Sequence, residues 1–402
     1  MTTAVTCPSP ASAAPSPASA RPAASRRLHG LDLARALAVL AMFTVHLGAP
    51  FTPEPLEEAV RAASHGRSSA LFALLAGVAL AMMSGRALIP SGAPLAAARR
   101  RIAVRAGCLA AIGLALIWLD TPVAVIIAHY GGFLLLALPF LGMAPRRLFA
   151  VAAVGALAGP QVSYLARSGL EGLAPDGWAH TALFSTGAAP FLLTGMFPAV
   201  SFLPYVLAGM ALGRLDLADG RVRARMAAWG AGLAVAGYGG ARVALWALAS
   251  PGEAARVGAH TYFHGAVPLE GPAWLLTSVP HSGTTFEVAG SAGVGMVAVA
   301  ACLAAADRAP RVAAPLAAVG AMSLTVYVAH VLGIWGVRAA GWGQAPLLAE
   351  VFAAAAVAGA WAWRRRFGKG PLERLVAAAA RRGGDTLERV LPARRGPGLR
   401  GG

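Results

Sequence analysis

Apolar and polar positions alternate along the chain in long blocks. Ten apolar stretches fall at 31–49, 68–84, 102–119, 122–141, 147–165, 190–213, 226–249, 285–306, 313–336 and 344–363. Each is close to the ~20 residues a helix needs to cross a bilayer. The pattern predicts an all-α polytopic membrane protein of about ten transmembrane helices. The second stretch is short, and Pro198 and Pro204 interrupt the sixth. Spanning helices tolerate such prolines where neighbours satisfy the freed backbone groups.

Residues 1–27, rich in Pro, Ala and Ser, lack the apolar core of a secretory signal and read as a disordered cytoplasmic leader. The membrane domain is expected over 28–375, and 376–402 reads as a basic Arg/Gly-rich cytoplasmic tail. Two connections are long, near 166–189 with Trp178 and His180, and near 250–284 with "HTYFHG" and "VPHSGTTFE". Long loops lacking secondary structure are usually functional or disordered.

The charges between the stretches give an orientation. Arg26 and Arg27 precede the first stretch, and arginines follow every even-numbered one: Arg86 and Arg99–Arg101, Arg146 and Arg147, Arg214 to Arg225, Arg308 and Arg311, and Arg364–Arg366. The alternate connections instead carry Glu54, Glu57, Glu58, Asp120, Glu171, Asp176, Glu253 and Glu270. Cytoplasmic loops carry the Lys/Arg excess, so both termini are expected inside a bacterial cytoplasmic membrane.

Composition agrees. The 402 residues are 57% hydrophobic and 13% charged, against about a quarter charged in soluble chains. The net charge of +17 does not indicate nucleic-acid binding, because the arginines flank apolar runs rather than forming a basic stripe on a soluble face. Lys369 is the only lysine. Three cysteines, with Cys108 and Cys302 inside apolar stretches, make no disulfide framework.

Ionisable residues within a spanning helix are costly and mark functional sites by default. "GLDLARALAVLAMFTVH" carries three. Asp32 and Arg35 are three apart and can pair. Arg35 and His46 are eleven apart, about three helical turns, which sets them on one face roughly 16 Å apart. A first-turn carboxylate also suits the helix dipole, and an arginine there can snorkel to the interface. His46 can equally be an interhelical hydrogen-bonding residue. His46, His65, His129, His180, His260, His264, His281 and His330 all fall on the outward side, and His29 alone is cytoplasmic. Histidine is suited to taking and giving protons near neutral pH. It can also simply occupy positions from which arginine is excluded.

Elsewhere, Ser323, Tyr327 and His330 follow at steps of four and three, one polar helix face. Ser282 beside His281 is not by adjacency a dyad, while Glu287 can orient a histidine. His260 and His264 have metal-ligand spacing only if their segment is helical, and no acidic partner follows, so no metal is expected. Arg242 can bind an anion or snorkel. Ser69, Ala73 and Gly77 form a small-residue face for close helix contact.

"GLDLARALAVLAMFTVH" resembles the opening of the transmembrane acyltransferase superfamily, which includes bacterial O-acyltransferases and heparan-alpha-glucosaminide N-acetyltransferases. Arg35 to His46 matches the arginine–histidine spacing of the former branch. "LDLARA" matches the Leu-Asp-x-x-Arg-Gly of the latter, with Ala36 in place of glycine. "FGKGPLERL" at 367–375, "HYGGFLLLALPFL" and "PHSGTTFEVAGSAG" resemble the bacterial membrane family known as domain of unknown function 418.

The resemblance implies a membrane acyltransferase, using acyl-CoA, in particular acetyl-CoA, from the cytoplasm. The acceptor would be a sugar or other small molecule nearer the outer face. On that reading Arg35, with Arg99 and Arg100, holds the donor's phosphates, and Asp32 orients Arg35. His46 acts as general base or as acyl carrier. His129, His281, Glu287, Ser323, Tyr327 and His330 follow as second-tier candidates, and membrane lipid is the surrounding partner. A transporter with its site at broken helices and a non-catalytic membrane scaffold are the alternatives.

Overall fold

The computed structural model describes residues 28–47, 55–173, 187–341 and 347–390. The leader, Cys7, Trp178 and His180 lie outside these. Among the described residues all regular structure is helical, with no strand. Five helical stretches are long and apolar enough to cross a membrane: His29–Leu47, Pro55–Met83, Pro145–Glu171, Gly220–Leu248 and Thr285–Arg308. A sixth is possible if the bent pair Pro310–Ala321 and Ser323–Ala339 counts as one.

In chain order the helices are α1 (His29–Leu47), α2 (Pro55–Ser64), α3 (Arg67–Met83), α4 (Gly92–Ile117), α5 (Ile126–Ala137) and α6 (Pro145–Leu173). They continue with α7 (Ala199–Gly213), α8 (Gly220–Ala234), α9 (Gly240–Leu248) and α10 (Pro251–Gly258). The series closes with α11 (Thr285–Arg308), α12 (Pro310–Ala321), α13 (Ser323–Ala339), α14 (Leu348–Phe367) and α15 (Pro371–Val390). Every apolar stretch seen in the sequence overlaps at least one of these helices.

The helices pack closely because small residues line their crossings. A Cβ on Gly77 of α3 would stand 1.9 Å from the Val206 carbonyl oxygen, and one on Gly209 of α7 would stand 1.8 Å from that of Leu74. Such reciprocal glycines allow backbone contact where dispersion must replace the missing hydrophobic drive. The expected small-residue face of α3 is this contact. Gly320, at the end of α12, meets α1 in the same way, its Cβ position lying 1.6 Å from the Asp32 carbonyl oxygen.

Three expectations need correction. The stretch 313–336 is not one straight helix: it bends by 70° between α12 and α13. Apolarity runs unbroken through Met322, so hydropathy alone could not reveal the break. The connection 250–284 is not structureless, since it holds α10 and a 3₁₀ turn at Pro272–Leu276. Ser250 caps α10 through a reciprocal bond with Glu253, the capping box. Finally, α15 runs through the boundary placed at 375/376. It is an amphipathic helix laid on α4, where Cβ positions of Gly383 and Gly384 would fall 2.9 Å and 2.8 Å from Val104 and Arg101 side chains.

Candidate functional site

Two observations locate the site. The first is a cavity of about 140 Å³ between α1, α3, α4, α5 and α13, lined by Arg35, Arg105, Tyr130, Ser323 and Tyr327 among apolar neighbours. Arg35 reaches it from the first turns of α1, where its Nη1 donates to Asp32 Oδ1 at 2.8 Å. Asp32 is buried and Arg35 only partly so. The carboxylate thus holds one side of the guanidinium and leaves the arginine facing the cavity.

The second is an imidazole pair. His46 Nδ1 lies 3.1 Å from His330 Nε2, and the rings are nearly parallel, with centroids 5.4 Å apart and an 8° interplanar angle. Phe43 and Tyr327 flank the His330 ring at 4.9 Å each. Tyr327 therefore touches the pair and lines the cavity, and its hydroxyl accepts the Ile126 backbone N–H at 3.2 Å.

The bend at Met322 explains how α13 comes to face α1. The turn after it is fastened from the C-terminal signature "FGKGPLE". Glu373 Oε1 accepts the backbone N–H groups of Leu324 and Thr325 at 2.9 and 3.1 Å, and Oε2 accepts the Thr325 hydroxyl at 2.6 Å. A carboxylate there satisfies orphan donors and matches the positive end of the helix dipole. Pro371 opens α15, and a Cβ at Gly370 would stand 2.0 Å from Glu373 Oε2. Gly370, Pro371 and Glu373 of the motif thus serve this one cap.

A second polar cluster lies at the end of the connection 250–284, where it enters α11. The Glu287 carboxylate accepts the backbone N–H groups of His281 at 2.8 Å and Gly283 at 2.7 Å, and the Ser282 hydroxyl at 3.4 Å. It was expected to orient a histidine through the ring; it does so through the main chain, holding His281 in the left-handed region at φ 59°. The His281 ring meets His65, Tyr262 and Phe197, at centroid distances of 5.9, 5.6 and 5.8 Å. Burial pushes its pKa down to about 3, reinforced by the neighbouring His65 and His264. His65 is an electrostatic neighbour of both His46 and His281. The imidazoles of His330, His46, His65 and His281 thus follow one another in a row.

The remaining candidates lie elsewhere. His129 packs among Phe133, Phe191 and Phe197 and contacts the Val125 carbonyl at 3.4 Å. Arg99 donates to the Leu138 and Pro139 carbonyls, and neither it nor Arg100 lines the cavity. The segment of His260 and His264 is not helical: His260 stacks on Phe263 and His264 faces Tyr262. Among the described residues no group of three or more His, Cys, Asp or Glu is placed to hold a metal. Sequence reasoning missed Arg105, although it sits inside the apolar stretch 102–119 and the rule applied to Arg35 would have found it.

Comparison with known families divides the chain in two. Residues 27–246 match the family profile described as heparan-alpha-glucosaminide N-acetyltransferase, catalytic. Residues 273–382 match that of protein of unknown function DUF418. No individual curated protein matches significantly. Asp32, Arg35 and His46 fall in the first region, and Ser323, Tyr327, His330 and Glu373 in the second, so the imidazole pair joins the two. With more than half its length in the first match, the chain belongs to the heparan-alpha-glucosaminide N-acetyltransferase catalytic family and carries a DUF418-type C-terminal region.

Proposed function

We propose that the protein is a membrane acetyltransferase that takes the acyl group from acetyl-CoA on the cytoplasmic side and passes it to a sugar or other small acceptor nearer the outer face. The observation that carries this reading is that one cavity holds two arginines, while Tyr327 in its wall touches the His46–His330 pair. Guanidinium groups suit phosphate recognition, and the acetyltransferase activity of the matched family supports the reaction class. The charge pattern of the connections supports ten crossings with both termini inside: beside the five long apolar stretches, α4, the short helices α5 and α7, the bent pair α12–α13 and α14 complete the count.

In the transfer, the acceptor's hydroxyl or amine attacks the thioester carbonyl. The carbon–sulfur bond breaks, and CoA leaves as the thiol. Whichever ring carries the proton shared between His46 and His330, the pair presents one basic nitrogen at one end and one N–H at the other. It can therefore accept the acceptor's proton and return one to the leaving sulfur. Carriage of the acetyl group on His46 itself is the second route such a nitrogen allows. The row through His65 and His281 supports an acceptor arriving from outside.

The test is the thermal unfolding of detergent-purified protein with and without excess acetyl-CoA. A ligand of the native state raises Tm with the logarithm of its concentration over Kd. The expected result is a rise in wild type that is lost in Arg35→Ala and Arg105→Ala but kept in His46→Ala. No rise in folded wild type overturns the donor assignment and favours a transporter of polar solutes, for which no thioester is needed.

A further inference from the structure

A second and much larger cavity lies away from this site. It is a crevice of about 1060 Å³ whose walls are α6 and α8 and whose floor is α7 and α11. Phe149, Ala153 and Leu157 stand on one wall, and Trp229, Gly232 and Ala236 on the other. The lining is almost wholly apolar, and the single charged residue, Arg225, sits at one end. At the opposite end Thr285 donates to the Ala156 carbonyl at 2.9 Å and accepts from Gln161 at 3.3 Å, tying α11 to α6. The crevice is thus blind at that end and open at the end of Arg225.

We infer that this crevice binds one acyl chain of an anionic phospholipid from the cytoplasmic leaflet, with the phosphate held by Arg225 and Arg221. Length and charge both point to this occupant. From Arg225 to Ala236 the wall runs eleven residues, about 16 Å of helix. That is roughly half of the ~30 Å hydrocarbon thickness, the depth of one leaflet. Arg225 and Arg221 lie four apart on one face of α8, and Arg146 and Arg147, both exposed, open α6 at the same end. The nearby acids are engaged: Asp219 accepts the Arg221 backbone N–H at 2.8 Å, Asp216 that of Ala218 at 3.0 Å, and Asp307 pairs with Arg223. Trp229, 77% exposed at the mouth, is the residue type that settles at the membrane interface. A zwitterionic headgroup carries its own cation beside the phosphate, so it offsets less of the arginines' charge than an anionic one.

The test adds either phosphatidylglycerol or phosphatidylcholine to lipid-stripped protein in detergent and follows Tm, with native mass spectrometry counting retained lipids. In wild type, phosphatidylglycerol is expected to raise Tm clearly more than phosphatidylcholine, with one molecule retained. Ala153→Trp and Gly232→Phe fill the crevice from opposite walls; nothing lies within 4 Å of a Cβ at Gly232, so that substitution meets no backbone clash, and the cooperative unfolding transition of each variant checks that it is folded. Both should lose the retained lipid and the Tm rise. Arg225→Gln with Arg221→Gln should keep a lipid but equalise the two headgroups. Equal effects of the two lipids on wild type, or retention undiminished in both filled variants, overturns the assignment. Acetyl-CoA binding plays no part in this readout, so failure here leaves the transfer reading standing, and the reverse.

Discussion

His46 and His330, 284 residues apart in the chain, meet with 3.1 Å between ring nitrogens. Neither ring alone offers both a basic nitrogen and a donor anchored to a second imidazole; together they act as one group. His46→Gln and His330→Gln are each expected to lower transfer by 10²-fold or more, the scale of a lost general base. The double variant should be little worse than either single one, since residues acting as a unit are non-additive. Single-turnover release of CoA from acetyl-CoA and an acceptor measures this, with an acetyl-CoA-induced rise in Tm as the check on folding. Effects that multiply would separate the two rings.

Glu373 is the side chain that caps the first turn of α13. Glu373→Ala strips acceptors from two backbone N–H groups and one hydroxyl. The expected cost is about 1–2 kcal/mol, the range for a lost helix cap. Glu373→Gln keeps one carbonyl oxygen for the backbone donors and should cost less. Comparing Tm of the two variants separates the cap from the charge.

Gly77 tests the closeness of α3 and α7. Gly77→Ala would place a methyl group against the Val206 backbone, and no side-chain rotation relieves it. Destabilisation of roughly 1–3 kcal/mol, the cost of overpacking, is expected. Gly359→Ala in α14, where nothing lies within 4 Å, should instead stabilise by about 1 kcal/mol through helix propensity.

His281 gives the protein a pH dependence of defined sign. Its folded pKa is down at about 3, against an unfolded value of about 6.5. Between these the unfolded chain binds the extra proton. The stabilisation is therefore present above about pH 6.5 and falls away as the pH drops toward 3. The groups facing the ring are His65 and His264, which add like charge as they protonate, and Tyr262 and Phe197. His281→Asn keeps a residue tolerant of positive φ and removes the titration. Its Tm should vary less than that of wild type between pH 7.5 and 5. A parallel loss in both proteins would place the sensitivity elsewhere.

Much of the site was legible because helical periodicity is local. Arg35 and His46 share a helix, as do Ser323, Tyr327 and His330, so spacing alone set each group on one face. The meeting of the two groups was not legible, because it depends on the 70° bend at Met322, where the chain stays apolar and no proline marks the break. Arg105 went unnoticed because it follows the arginine run 99–101 by one turn and merges with an interfacial basic cluster. Glu287 was visible as a carboxylate near histidines. Its use of main-chain N–H groups follows from the positive φ of His281, which no side-chain pattern announces.

The cap from Glu373 also sets an order in time. Thr325 and Glu373 are 48 residues apart, with the whole of α14 between them. Chain synthesis runs from the N-terminus, so Leu324 and Thr325 are made before the carboxylate that fastens them. Until Glu373 is made, the first turn of α13 has its leading amides unclaimed by this cap. Closure of the wall bearing Ser323 and Tyr327 therefore waits for the last of the described helices.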